Sequence, residues 1–144
     1  MKLSPDFTSK LESAIRHFDN ESNEATRTHK LIARLLNEIE DISNYEYHYT
    51  AQMTNQDGKR PDFIVSHKER EFFVIEAKAS LAIANHKQQI LEYLKTHNLE
   101  YGSLTDGVSW TMLKFDKKSE TLKTEVNLII NQPQLIVDYI VSKI

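Results

Sequence analysis

The sequence predicts an α/β domain: a mixed β-sheet flanked by helices. Three observations carry this. Apolar residues recur at helical spacing in two segments before, one segment within and one segment after a set of strand-like runs. Read in order, the elements run α-α-β-β-β-α-β-β-β-α, a pattern that places helices against a sheet rather than building a bundle or a sandwich. At 144 residues with 40% hydrophobic content, the chain fits one domain (residues 1–144) with a packed core.

From Asp6 to Phe18, Phe7, Leu11, Ala14, Ile15 and Phe18 fall on one helical stripe. Polar residues from Asp19 to Asn23 interrupt it. A second helix is expected from Glu24 to Asp41, with Leu31, Ile32, Leu35, Leu36 and Ile39 as its apolar face, Asn23 as N-cap and Glu24 in the first turn. The period then changes. Tyr45, Tyr47 and Tyr49 alternate with Glu46 and His48 as a half-exposed strand, and Asn55-Gln56-Asp57-Gly58 reads as a turn. Phe63-Ile64-Val65 and Phe72-Phe73-Val74-Ile75, separated by His67-Lys68-Glu69-Arg70, form a hairpin signal. Helical spacing returns from Ala82 to Thr96 through Ile83, Ile90, Leu91 and Leu94. Strands follow near Tyr101–Leu104 and Val108–Phe115, joined at Thr105-Asp106-Gly107, and near Leu122–Ile130. Pro133 opens a last helix carrying Leu135, Ile136, Tyr139 and Ile140.

Composition excludes several classes. Without cysteine there is no disulfide, thiol nucleophile, zinc ribbon or iron–sulfur cluster. The apolar runs are too short to span a bilayer, and the start lacks a secretory h-region, so a cytoplasmic protein with no membrane partner is expected. No GxxxxGK[ST] loop is present, so no nucleotide cofactor is expected, and the six histidines show no HExxH spacing. Net charge is −3, unevenly spread: residues 1–57 hold 6 Lys/Arg against 10 Asp/Glu, and residues 58–144 hold 12 against 11. Neither half announces a nucleic-acid binder.

One constellation carries chemistry. Pro61-Asp62 opens one strand of the hairpin and Glu76-Ala77-Lys78 closes the next. Strand alternation sends Glu76 and Lys78 to the same face, with Phe73, Ile75 and Ala77 on the other. An antiparallel partner brings Asp62 alongside. Buried charges need compensation, and paired Asp and Glu oxygens suit Mg²⁺, which neutralises a phosphoryl group and activates a bound water. A lysine beside them can orient that water. These parts fit metal-assisted phosphodiester hydrolysis. The same residues also fit a surface Glu–Lys pair ending a strand, with Asp62 a turn residue after proline. Trp110 and the strand tyrosines fit base stacking or core packing.

Pro61-Asp62 with Glu76-Ala77-Lys78 resembles the PD-(D/E)xK nuclease superfamily and, more narrowly, the N-terminal endonuclease domain of type I restriction enzyme R subunits. Asn23-Glu24-Ala25-Thr26-Arg27 is similar to that family's first helix, Gln89-Ile90-Leu91-Glu92-Tyr93 to its Q-xxx-Y element, and Leu104-Thr105-Asp106-Gly107 with Trp110 to its TDG strand pair. The resemblance covers about residues 24–115. It implies a restriction-endonuclease-like αβββαβ core and a Mg²⁺-dependent DNA endonuclease, with Mn²⁺ as substitute. Asp62, Glu76, the Ala77 carbonyl and Glu24 would hold the metal, and Lys78 would act at the attacking water. Gln89 and Tyr93, at i and i+4, would approach the site or the DNA backbone; alternatively, Tyr93 covers the core edge and Gln89 is solvated. Glu38 is a second candidate for the upstream acid, nearly four turns along the same helix, with Glu24 favoured.

The family's R subunits continue into an ATP-driven motor that residues 1–144 do not contain. The expected alternatives are a stand-alone nuclease, one acting with a separately encoded subunit, or a catalytically inactive module binding nucleic acid or protein. Cutting both strands at once needs two sites, which fits a homodimer. RNA stays open as a substrate. Lys59, Arg60, Lys68, Arg70, Lys87 and Lys95 flank the constellation in sequence, so a local basic rim with weak intrinsic DNA affinity is expected.

Overall fold

A computed structural model describes residues 1–18, 24–51, 61–78 and 83–144. Along the chain run α1 (Phe7–Phe18), α2 (Glu24–Ile42), β1 (Tyr47–Ala51), β2 (Phe63–His67), β3 (Arg70–Ala77), α3 (Ile83–His97), β4 (Tyr101–Thr105), β5 (Ser109–Asp116), β6 (Thr121–Ile129) and α4 (Pro133–Val141). The expected N-cap Asn23 and turn 55–58 lie outside the described residues.

The six strands form one sheet in the order β1-β2-β3-β4-β5-β6. Every neighbour is antiparallel except β3 and β4, which are parallel. A parallel pair needs a crossover, and α3 supplies it. α1, α2 and α4 pack on one face through Leu11, Leu35, Ile39, Ile136 and Ile140, against Phe63, Val65, Phe73, Ile75 and Trp110. α3 covers the other face through Ile90, Tyr93 and Leu94, against Ile64, Val74, Leu104 and Leu113. The period-two pattern of β3 is thereby resolved: Phe73, Ile75 and Ala77 belong to the first core, while Val74 belongs to the second.

The apolar stripe read on α2 is buried as expected; Ile32 and Leu35 are wholly inaccessible. Tyr45 departs from expectation. It belongs to a turn rather than to β1: Asn44 and Tyr45 have φ of 53° and 63°, left-handed values that end helical and extended structure alike, and the Tyr45 ring is exposed. Trp110 is fully buried and donates its indole N–H to the Gly107 carbonyl at 3.3 Å, so it packs the core and is closed to base stacking.

The β2–β3 turn consists of Lys68 and Glu69 alone, both left-handed, with φ of 48° and 68°. Two positive φ values in a two-residue hairpin are the requirement that Asn-Gly satisfies cheaply and Lys-Glu does not. The double substitution Lys68→Asn/Glu69→Gly is expected to stabilise the fold by about 1 kcal/mol in urea titrations, since the exposed Lys68–Glu46 ion pair it removes contributes little. An unchanged or lower midpoint would refute the strain.

Gly102 lies opposite Val74 in the parallel pair. A Cβ there would meet Val74 Cγ2 at 2.8 Å and the Val74 carbonyl oxygen at 3.0 Å, with Ile90 Cγ2 at 3.5 Å. Absence of a side chain lets α3 seat on the sheet at this point. Gly102→Ala should cost about 1–3 kcal/mol, read as a lowered thermal midpoint; full stability in the variant would exclude close packing here.

Candidate active site

The site is assembled at one end of the sheet, where β3 stops. The antiparallel register sets Phe63 opposite Ile75, so one residue further Asp62 comes opposite Glu76. The Asp62 carboxylate is fixed from the partner strand: the Ala77 backbone N–H donates to Asp62 Oδ2 at 2.9 Å. Within a strand a residue's N–H and C=O leave on the same side, so the Ala77 carbonyl also projects from the Asp62 side of β3. The next peptide is held from the opposite side, with the Lys78 N–H donating to the Thr105 carbonyl at 2.8 Å.

Glu76 is almost completely buried, with 1% of its surface exposed. Its Oε1 lies 3.1 Å from the ammonium of Lys78, which is itself partly buried. Its Oε2 is buried without a hydrogen-bond partner among the described residues. Burial is the larger cause pushing the Glu76 carboxyl up to about 7, the Asp62 charge adds to it, and Lys78 opposes both. Among the described residues the arrangement is therefore short of positive charge: two carboxyl groups and one ammonium lie close together, with one carboxylate oxygen unsatisfied. Orphaned buried oxygens of this kind are uncommon and call for a ligand or a proton.

The Thr105-Asp106-Gly107 motif is a brace. Asp106 Oδ1 accepts the N–H groups of Val108 and Ser109 at 2.9 and 2.7 Å, an Asx turn, and Thr105 Oγ1 accepts the Gly107 N–H while donating to the Ser109 carbonyl. Gly107 has φ of 93°, and a Cβ on it would lie 3.2 Å from both the Leu31 side chain and the Thr28 carbonyl oxygen. The turn thus holds the end of β3 through Thr105 and seats against α2 through Gly107. Sequence reading singled out the motif but did not foresee the bracing by Thr105. A threonine opening a T-D-G turn was the available signal.

The remaining candidates fall in different places. Glu24 opens α2, one turn before Thr28, and so lies toward the same end of the sheet; its side chain is outside what is described. Glu38 lies fourteen residues further, about 20 Å along the helix, and is occupied there: its Oε1 accepts the Ser4 hydroxyl at 2.6 Å and the Ser4 N–H at 3.3 Å. Gln89 sits midway along α3 and is partly buried. Tyr93 is not brought to the constellation. It is buried, its ring stacks on His97 at 4.1 Å, and its hydroxyl donates to Glu71, which stands five residues from Glu76 on β3, roughly 17 Å along the strand.

The anticipated basic rim also divides. Lys68 and Arg70 are at the hairpin turn, the far end of β3, and Lys95, near the distal end of α3, pairs with Glu120 at 3.5 Å. Lys87 lies in the second turn of α3, the helix that follows β3, and is partly buried, while Lys59 and Arg60 lie outside the described residues. Among the described residues, no helix is long and apolar enough to cross a membrane, and no group of three or more Asp, Glu, His or Cys side chains gathers at one point. Among the described residues, Asp62, Glu76, the Ala77 backbone and Lys78 converge.

A model of the type I restriction enzyme R protein N terminus matches residues 22–129, which includes every element from α2 to β6. Comparison with curated proteins and with solved structures returns no match. On the strength of that match across most of its length, the chain belongs to the type I restriction enzyme R protein N-terminal family.

Proposed function

We propose that this protein is a divalent-metal-dependent DNA endonuclease of the PD-(D/E)xK type, acting in restriction or a related defence process. The observation that carries the reading is the buried Glu76 carboxyl beside Asp62 and Lys78, with Oε2 unsatisfied among the described residues. The order α2-β1-β2-β3-α3-β4 supports the αβββαβ core of that nuclease fold, and the family match supports the restriction context.

The donor set fits Mg²⁺, with Mn²⁺ as substitute: Asp62, Glu76 Oε2 and the Ala77 carbonyl are hard oxygen donors at the end of β3, and Oε2 has no hydrogen-bond partner among the described residues. Glu24 is the proposed fourth donor. Once bound, the ion supplies Lewis-acid charge to the phosphoryl oxygen and acidity to a water molecule. The chain's own part is positional. The Ala77 N–H holds Asp62 in one orientation. Glu76 keeps the Lys78 ammonium at the mouth of the site, where it orients the attacking water and offsets charge developing on the phosphate. DNA is the proposed partner, with a second copy or a separately encoded subunit completing a double-strand cut.

The test is incubation with plasmid and linear DNA in Mg²⁺ or Mn²⁺ against EDTA. Metal-dependent cleavage is expected. DNA binding without cleavage, undiminished by Asp62→Ala, would instead establish a catalytically inactive binding module on this fold.

A further inference from the structure

Two contacts fix how α3 lies along β3. The Tyr93 hydroxyl donates to Glu71 near the start of that strand, and further on Ile90 seats where Gly102 approaches Val74. The helix therefore runs antiparallel to β3, as a crossover between two parallel strands requires, and its first turns lie toward the catalytic end of the sheet.

Lys87 belongs to those turns. On the helical wheel it falls between Ile90 and Leu91 and within about 20° of Leu94. Ile90 and Leu94 are wholly buried against the sheet and Leu91 packs beside them, so Lys87 is on the sheet-facing side of α3, where it is partly buried. Three residues of helix carry it about 4.5 Å beyond Ile90, and helical side chains tilt toward the N-terminus, which carries the long stem further the same way. On β3, Glu76 is two residues beyond Val74, about 6.6 Å along the strand. It shares the α3 side of the sheet with Val74, since Phe73, Ile75 and Ala77 take the other. Helix and strand thus bring Lys87 over the row that holds Glu76 and, across the hairpin, Asp62.

Lys87 has no ion pair or hydrogen bond among the described residues, and its charge is not one of those acting on Glu76. Lys78 and Lys95, by contrast, pair with Glu76 and Glu120. Holding an ammonium partly buried without a counter-charge costs free energy. A cation that overhangs two carboxylates without touching them is placed for an anion arriving from outside.

We propose that Lys87 is a phosphate-binding residue of the site, its ammonium taking a non-bridging oxygen of the DNA phosphodiester that Asp62, Glu76 and Lys78 address. The group is then held between strand and helix: Lys78 reaches it from β3 and Lys87 from α3. A lysine suits this role as a compact charge on a flexible stem. The proposal rests on the nuclease reading for its substrate, and the following experiment separates the two.

Binding of a fluorescent mixed-sequence duplex is measured by anisotropy between about 50 and 200 mM KCl, with Ca²⁺ in place of Mg²⁺ as a cation for oxygen donors. The proteins are the full chain, Lys87→Met, which keeps an unbranched stem, Lys87→Arg, which keeps the charge, and the control Lys95→Gln, two turns further along α3. Lys87→Met should bind about 5–10-fold more weakly and lose about 1 in the slope of log K against log salt. Lys87→Arg should recover most of both, and Lys95→Gln should match the full chain, with circular dichroism unchanged throughout. Unchanged binding and slope in Lys87→Met, an equal loss in Lys95→Gln, no recovery in Lys87→Arg, or no duplex binding by the full chain would overturn the proposal; the first would leave Lys87 as a stem that covers the sheet. Metal-dependent cleavage by the full chain with Lys87→Met binding normally would sink the lysine alone. Lys87-dependent binding without cleavage would uphold it and sink only the nuclease reading.

Discussion

Lys78→Ala is expected to lower Mg²⁺-dependent DNA cleavage by roughly 100-fold or more, the scale of losing a positioned proton-transfer or charge-stabilising group. The ammonium is 3.1 Å from Glu76 Oε1, and the peptide carrying it is held by the Thr105 carbonyl. The backbone position therefore survives the substitution while the charge is lost. Asp62→Asn probes the other carboxylate with less disturbance, because an amide oxygen can still accept the Ala77 N–H. It should bring a comparable loss of cleavage, and it should also lower the Glu76 proton affinity, because the Asp62 charge is one of the causes raising it. Single-turnover rates on linear duplex, with circular dichroism as the control for folding, decide the matter. Cleavage in Lys78→Ala within about threefold of the unaltered protein would remove the lysine from the chemistry.

The second large effect is on stability. The Glu76 carboxyl is raised from 4.5 to about 7 by burial first and by the Asp62 charge second. The sign follows from proton counting. Below about 4.5 the carboxyl is protonated in both folded and unfolded chains and contributes nothing. Between about 4.5 and 7 the unfolded chain releases its proton while the folded chain retains it, so stability falls as pH rises. Above about 7 both are ionised and the full penalty remains, on the order of 3 kcal/mol. Glu76→Gln removes the titration. In EDTA it should be more stable than the unaltered protein at pH 8 by about 1–3 kcal/mol and close to it at pH 4.5, with loss of the Lys78 pair as a partial offset. Urea unfolding across that pH range is the measurement. A stability difference that does not grow from pH 4.5 to 8 would show that Glu76 is not the group responsible. Because a bound ion stabilises the ionised carboxylate, saturating Mn²⁺ should reverse the order at pH 8.

Much of this was legible in the amino-acid order. Period 3.6 in Leu31–Ile39 and period two in Phe73–Ala77 each report which face of a local element is apolar, and burial followed those faces. The adjacency of Asp62 and Glu76 was also legible, because a hairpin fixes its own register and needs no distant contact. Tyr45 was misread because alternation cannot register a backbone φ of 63°, which the turn after α2 imposes.

The sequence by itself determined the elements, their order, the hairpin and the side-by-side placement of Asp62, Glu76 and Lys78, all of which arise from interactions local along the chain. Only the tertiary structure decided which end of the sheet each charge occupies. Lys68 and Arg70 are near the motif in number, yet a strand advances about 3.3 Å per residue and carries them to the opposite end, as it separates Tyr93 and Glu71 from Glu76. Lys30 and Arg34 belong to the acidic part of the chain, and helix pairing sets them along one groove with His17 and with Lys10, which pairs with Asp6 at 3.0 Å. The proton affinity of Glu76 was likewise set by assembly, since desolvation depends on β4 pairing beside a residue whose immediate neighbours in sequence say nothing of how dry it will be.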